Sequence, residues 1–558
     1  MQTKWKKLAQ VGVVACCLAF AASSAVAGGK WNKKWEKNHD FHKSENVIIM
    51  IPDGCDETVQ TVARWYKGEN LEVDTMQTGT VKVHMANSVI PGSAAAATAF
   101  ATGHKTTVRF LGVGPRTEDL LTDFEPTAAP YAPVASVLEA AQRAGKATGI
   151  VSTSRVTHAT PAAFASHVED RGWDNDIMEH MVYNNIDVVF GGGARHLLST
   201  DDEPYTTSFG ATWEGKRTDG QNLMDVLEDR GYTFVDSKTQ MQEVTSGKVW
   251  GLFDDSHMQP DMDRQYFAEH EPSLAEMVEK AIEILSQDPD GFLLMVEGSQ
   301  VDWAGHNNDP IYMVTDFIAF DDAVKVANDF AEKNHRTTVL AYPDHNTGGM
   351  KIGHYETAMG YTETTIEDLV TPLKGMLTSA NGVVAMMEDD SDEALIVSVN
   401  DNWNIELNDE DVKEIRDFEP SVGLSYALGR VVSKNHTVIG WSTHGHTGET
   451  VPLWMTGKQA PARVIDNTEL AYIAADAIGV DLAKTTDDLY VDLSTVTASF
   501  DVDLEYDIID VAGAQLPIGR DYMIKNGREI PLPGVTVYAP ATGKVYVSKE
   551  AIRKLRRR

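Results

Sequence analysis

The strongest constraint on the fold is a recurring pattern of short apolar runs, each closed by a turn or a polar residue. The first covers residues 46–51 and is broken by Pro52-Asp53-Gly54, the pattern of a buried strand ending in a turn. Comparable runs lie at 147–152, 187–190, 292–296 and 337–342, with helical patterns such as 133–144 and 274–286 between them. Buried strands alternating with helices predict an α/β fold, a central mostly parallel sheet with helices on both faces. Such sheets bind ligands at the carboxyl ends of their strands. The unusual polar residues stand at those ends: Asp53 after the first run, Glu297 after the fourth, Asp344-His345 after the fifth.

With 558 residues, the chain predicts a large catalytic body with insertions rather than one simple layer. Residues 1–27 read as a signal peptide: Lys4, Lys6 and Lys7, an apolar stretch over 11–22, then Ala25-Val26-Ala27 as a small-x-small cleavage site. Val14-Ala15-Cys16 offers a lipoprotein site as the alternative. The apolar stretch is too short for a membrane anchor, so no membrane insertion is expected after cleavage, and the mature protein is expected in the periplasm or secreted. Cys16 and Cys17 leave with the signal, so Cys55 remains alone and no intrachain disulfide can form.

Residues 28–45 read as a flexible lead-in, and 46–350 as the first part of the catalytic domain. An acidic, amphipathic stretch at 351–435 interrupts the alternation as an insertion or cap, and 436–512 completes the catalytic part. Turn signals then mark 513–558 as a small β-rich element with a basic, solvated tail. The net charge is −35, which disfavours nucleic acid and anionic membranes as partners. A phosphate ester would need local positive charge from metals or arginine.

Four fragments can carry chemistry. In Pro91-Gly92-Ser93-Ala94-Ala95-Ala96-Ala97 the alanines favour helix, so Ser93 falls at a helix start, where unpaired amides suit an oxyanion or phosphate. The plainer alternative is that Ser93 only caps the helix. No Gly-x-Ser-x-Gly elbow surrounds it, which favours metal activation over a lipase-like triad. Glu297 precedes Asp302 and His306, which are four apart and would share a helix face. Asp344-His345-Asn346-Thr347-Gly348-Gly349 and His444-Gly445-His446 place further ligand types in glycine-containing turns. Imidazole with carboxylate suits zinc, and oxygen donors suit magnesium. Each fragment alone is more often structural; their joint placement at strand ends and loops points to one site.

Taken together, Asp53-Gly54, the Ser93 helix ending in Ala101-Thr102-Gly103, Thr160-Pro161-Ala162, Val296-Glu297-Gly298, Asp344-His345 and His446-Thr447-Gly448 resemble the alkaline phosphatase family, in the family's order. The resemblance implies an alkaline-phosphatase-like fold and hydrolysis of small-molecule phosphate monoesters through a phosphoserine on Ser93, at two Zn2+ and one Mg2+. It implies Asp302, His306 and His446 as ligands of the first zinc, and Asp53, Asp344 and His345 as ligands of the second. Asp53 with Thr160 and Glu297 would form the magnesium-type site, with His158 nearby. Arg171 stands at the spacing of the phosphate-binding arginine. Relatives are commonly homodimers, so a second copy of this chain is the implied macromolecular partner.

Two positions depart from the pattern. Gly92 replaces the Asp that usually holds the arginine, which predicts a looser Arg171, and Trp303 stands where several relatives carry Lys or His, which predicts altered third-site chemistry or substrate stacking. Two other functions compete: a phosphodiesterase or sulfatase of the same superfamily, disfavoured by Ser93, Thr160 and Glu297, and an inactive metal- or phosphate-binding protein. His167 and His444 read as structural.

Overall fold

The computed structural model describes residues 44–457, 460–497 and 499–556. The signal sequence and nearly all of the lead-in lie outside the described residues. Ten strands form the main sheet: β1 (Asn46–Pro52), β2 (Gln77–Lys82), β3 (Ala147–Arg155), β4 (Val188–Gly192), β5 (Thr233–Val235), β6 (Val249–Leu252), β7 (Phe292–Gly298), β8 (Thr337–Ala341), β9 (Val451–Thr456) and β10 (Val464–Asp466). Their order is β10-β2-β9-β8-β1-β7-β3-β4-β6-β5. Only β9 runs against its neighbours, β8 and β2. The sheet is therefore the mostly parallel α/β sheet that the apolar runs predict, and each of the five runs is one of its strands.

Central β1 is buried along its whole length, because its apolar side chains face helices on both sides of the sheet. Its register with β7 and β8 levels the site: Ile51 lies opposite Glu297, Pro52 opposite Gly298, and Met50 opposite Ala341. Three neighbouring strands thus deliver Asp53, Glu297 and Asp344 to one edge.

Helix α1 (Ser93–Thr102) is buried throughout, which its alanines permit by adding little bulk. It starts after Gly92 in an extended conformation and ends at Gly103, whose φ of 81° belongs to the left-handed region glycine tolerates. Ser93 is accordingly the first helical residue, and Gly92 occupies the cap. Helix α2 (Ala159–Ala162) carries Thr160, and α3 (Gln300–Asn307) follows β7 directly. The 25-residue α4 (Pro310–Asn334) begins with proline behind an Asp309 cap that accepts from the amides of Ile311 and Tyr312.

Within the segment predicted as an insertion, five helices follow: α5 (Ile366–Gly375), α6 (Ala380–Ala385), α7 (Asp392–Trp403), α8 (Asp409–Val422) and α9 (Leu424–His436). Thr378 Oγ1 and the Ser379 amide donate to Asp263, and the Ala380 amide donates to Asp309, tying this layer to the body. At the C-terminus, a five-stranded antiparallel sheet begins at Asp501, earlier than the turn signals suggest, and a three-stranded sheet accompanies it. Over its described part the basic run is helical and keeps Arg553 and Arg556 exposed. Residues 553–556 end a helix, Lys549–Arg556, that buries Ala551 and Ile552, and Lys554 donates to the Pro531 carbonyl. Among the described residues, no helix is long and apolar enough to cross a membrane.

Candidate active site

The carboxyl edge of β1, β7 and β8 brings together Ser93, Arg171 and the candidate metal ligands. Three groups of ligating atoms, each within 4.8 Å of one another, form there: Asp302, His306 and His446; Asp53, Asp344 and His345; and Asp53, His158 and Glu297.

The first group is oriented by hydrogen bonds behind it. His306 Nδ1 donates to the His444 carbonyl and His446 Nδ1 donates to the Pro91 carbonyl at 2.8 Å, so each Nε2 turns to Asp302, at 3.3 and 3.7 Å. Thr347 Oγ1 donates to Asp302 Oδ1 at 2.5 Å. A two-residue ladder pairs Thr347 with His446 and Asn346 with Thr447, locking the loop that brings His446 in from far along the chain. Burial would raise the Asp302 carboxyl, but His306 and His446 outweigh it and hold the group well below the usual range. Against the cost of burial, Asp302 pushes His306 up to about 9; burial, with nearby His345, pulls His446 down to about 4.

In the second group, Asp344 Oδ1 accepts from the amides of Gly54 at 3.1 Å and His345 at 2.9 Å, which leaves Oδ2 facing the cavity. His345 Nε2 lies 3.0 Å from Asp344 Oδ2, 3.6 Å from Asp53 Oδ1 and 3.2 Å from Ser93 Oγ. Gly54 has a φ of 69°, and a Cβ there would stand 2.7 Å from both Asp302 Oδ1 and Thr347 Oγ1, so the turn admits only glycine.

The third group is the least satisfied. Both Asp53 oxygens, Glu297 Oε1, Thr160 Oγ1 and His158 Nδ1 are buried without a hydrogen-bond partner. Orphaned oxygens of this kind are costly unless a cation completes them, and a set of two carboxylates and a hydroxyl beside an imidazole fits a divalent metal. Burial, reinforced by Asp344, Asp302 and Glu297, pushes Asp53 far above the carboxylate range; burial also pushes Glu297 up to about 7. Burial together with Arg171 and His257 holds His158 well below its ordinary value, hence neutral. Its Nε2 accepts from Arg171 at 2.6 Å. His257 and Trp303 pack against the His158 ring, with centroids at 5.7 and 5.6 Å.

The sequence and the fold that carry this buried serine and its three sets of ligand atoms are similar to those of known proteins. A family model for alkaline phosphatase covers residues 44–480. The chain belongs to the alkaline phosphatase family. Alkaline phosphatase 3 of Bacillus subtilis is 32% identical over 491 residues, covering 84% of this chain and 96% of that relative. The cold-active alkaline phosphatase of a psychrophilic Shewanella superposes with a TM-score of 0.63 at 25% identity, covering 77% of this chain and 99% of its own. The Thermus thermophilus alkaline phosphatase shares the fold at a TM-score of 0.68 and 23% identity, over 79% of this chain and 92% of its own. This member of the alkaline phosphatase family is a phosphomonoester hydrolase.

Sequence reasoning missed the residues that orient the ligands. Thr347 sits inside a motif already marked, yet its contact with Asp302 spans 45 positions. Ser154, which donates to Glu297 Oε2 at 3.2 Å, carries no motif. The Pro91 and His444 carbonyls are backbone atoms and leave no trace in side-chain patterns. His444, read as structural, works through that carbonyl. His167 lies elsewhere, donating to the Gly112 carbonyl and facing Glu139 and Tyr490.

Proposed function

We propose that this enzyme hydrolyses phosphate monoesters through a phosphoserine on Ser93, with two zinc ions and one magnesium ion. Asp302, His306 and His446 would hold the first zinc, Asp53, Asp344 and His345 the second, and Asp53, His158, Thr160 and Glu297 the magnesium. When bound, the ions supply Lewis-acid charge that lowers the serine pKa and stabilises the leaving oxygen. Ser93 Oγ attacks phosphorus in line, and water then cleaves the phosphoserine. Arg171 and the first amides of α1 hold the equatorial phosphate oxygens, where negative charge concentrates.

The observation that carries this reading is the surroundings of His345 Nε2. A general base for Ser93 would keep Nε2 for the hydroxyl and give Nδ1 to a carboxylate. Here Nε2 itself converges with Asp344 Oδ2 at 3.0 Å and Asp53 Oδ1 at 3.6 Å, the arrangement of co-ligands. Ser93 as the nucleophile, with the third ligand group that Thr160 and Glu297 complete, also favours a monoesterase over the sulfatase and phosphodiesterase alternatives. We further place the mature enzyme in the periplasm or outside the cell, as a homodimer, with the helical layer over 351–435 as its cap.

The test is hydrolysis of p-nitrophenyl phosphate at about pH 9, within the range where a metal-activated hydroxyl ionises. It is measured before chelation, after chelation, and after return of zinc and magnesium. Activity lost and then restored supports the reading, as does acid-trapped phosphate on Ser93. A folded, metal-loaded protein without turnover, or turnover with no trapped phosphoserine, overturns it.

A further inference from the structure

Beside the metal-ligand groups, the same edge of the sheet carries a second cavity of about 560 Å³, at the ends of β3 and β4. Arg155 is the last residue of β3, and Arg195 lies in the short helical turn Ala194–His196 just after β4. Lys216 joins them from a loop whose amide donates to the Arg195 carbonyl at 2.8 Å. Trp173 lines the other wall with 38% of its surface exposed. Three cations in one cavity stand out in a chain of net charge −35. Asp174 and Asp176 also line it. Asp174 is engaged, accepting from Arg155 at 3.3 Å and from Thr157 at 2.5 Å, and Arg195 donates to Ser256 Oγ at 2.5 Å with Asp255 at 4.0 Å, whereas the Lys216 ammonium has no ion-pair or hydrogen-bond partner among the described residues.

The cavity adjoins the catalytic site by two routes. Gly172 and Trp173 in its wall directly follow Arg171, so Trp173 lies within about 7.6 Å of Arg171, two Cα steps. The Arg155 guanidinium also lies 2.5 Å from His257 Nε2, and His257 packs on His158.

We propose that this cavity is a second anion subsite, which selects phosphomonoesters bearing a second phosphoryl group. The inference rests on the phosphomonoesterase reading above: the scissile phosphoryl group sits at Ser93 and Arg171, and the distal one is held by Arg195, Lys216 and Arg155. Arginine and lysine together suit a dianion in a partly enclosed setting, and the exposed Trp173 face accommodates the carbon skeleton between the two groups.

The experiment compares alkanediol bisphosphates of three to six carbons with the corresponding monophosphates. It uses the metal-loaded enzyme and the Arg195→Ala, Lys216→Met and double variants. The expected result is a preference in kcat/KM of about tenfold for one chain length of bisphosphate, the worth of one charge-assisted contact, falling toward one in the double variant and at high salt. A ratio near one in the unmodified enzyme, or a preference that survives the double variant, overturns the subsite. Calorimetry on Ser93→Ala reads the same preference as affinity without turnover. Absence of p-nitrophenyl phosphate hydrolysis would therefore count against the catalytic reading, while equal binding of mono- and bisphosphate would count against the subsite alone.

Discussion

The Asp302–His306–His446 group and the Asp53–His158–Glu297 group lie along one sheet edge but are held in opposite ways. In the first, backbone carbonyls and Thr347 aim each ligand, and opposite charges satisfy one another before any ion arrives. In the third, carboxylates crowd together with orphaned oxygens, and Arg171 rests on the imidazole. One group is preorganised by the fold; the other stores repulsion that a cation relieves. The difference teaches that burial alone does not make a metal site: the hydrogen bonds behind the ligands decide how much of it exists beforehand.

Asp53 belongs to both the second and the third groups, so removing its charge tests the contrast most severely. Asp53→Asn should lower kcat/KM by at least about 10³-fold, since a shared ligand and its charge are lost together. Bound metal, counted by elemental analysis, should drop by more than one ion per chain. Retention of full metal with more than a tenth of the activity would show that the groups are independent.

Protonation separates the groups in the metal-free protein. Glu297 rises from its ordinary 4.5 to about 7 because burial penalises the charge, so the folded state binds its proton more tightly than the unfolded chain. Its contribution is present below pH 4.5 and lost as pH climbs to about 7. His306 rises from 6.5 to about 9 through Asp302, so its contribution is present below pH 6.5 and lost by about 9. Each loss is on the order of 3 kcal/mol. Denaturant melts of the chelated protein should therefore weaken across this span, where buried Asp309, Asp254 and Glu271 lose stability as well, with Glu297→Gln reducing the acidic part of the loss and His306→Asn the alkaline part. The gain from added zinc and magnesium should grow across the same span. A flat profile, or one that both variants change over the same pH span, would break the comparison.

The hydrogen bonds behind the ligands give a finer test. Thr347→Val removes the donor to Asp302 and should weaken zinc binding by about 10- to 100-fold, the usual cost of losing such support. Ser154→Ala removes one donor to Glu297 and should cost less than about tenfold, because Glu297 retains an orphaned oxygen for an ion. Competition with a chromophoric chelator measures both, and equal losses would deny that the first group depends more on its supports.

Thr347 also marks where sequence reading stops. The apolar runs revealed the strands because both faces of a parallel sheet are covered, and a buried residue has few alternatives to Val, Ile and Leu. Asp302 and His306 were legible because a helix fixes the meaning of a four-residue interval. His446 was legible as a ligand type in a glycine-containing loop, but its grouping with Asp302 and His306 came only through the resemblance: its partner Thr347 is 99 positions away, and that pairing depends on how the intervening five helices return the chain. The Asp501 strand was missed because its acidic residues lie at an exposed sheet edge with little burial to constrain them, and the Ile508 strand because it is only four residues long, although Ile509 and Val511 are buried. The C-terminal helix was hidden by its charges, since Lys and Arg dominate its sequence while Ala551 and Ile552 make the contact.

The smallest expected effect lies at Gly92. Its φ of −124° is open to any residue, and a Cβ built there meets nothing within 4 Å, so glycine is not required by the backbone. The side chain that Arg171 touches is instead His158, a neutral acceptor that cannot balance a guanidinium charge. A carboxylate at position 92, next to Ser93, would give Arg171 a charged partner on the phosphate side of the site and reduce the entropy lost on binding. Gly92→Asp should then tighten inhibition by inorganic phosphate by about three- to tenfold, the worth of a partly exposed charge pair, and lower kcat by a similar factor if release limits turnover. Unchanged inhibition would mean that Arg171 is already fixed by His158, and that the third group, for all its unmet charge, holds the arginine as firmly as the first group holds its histidines.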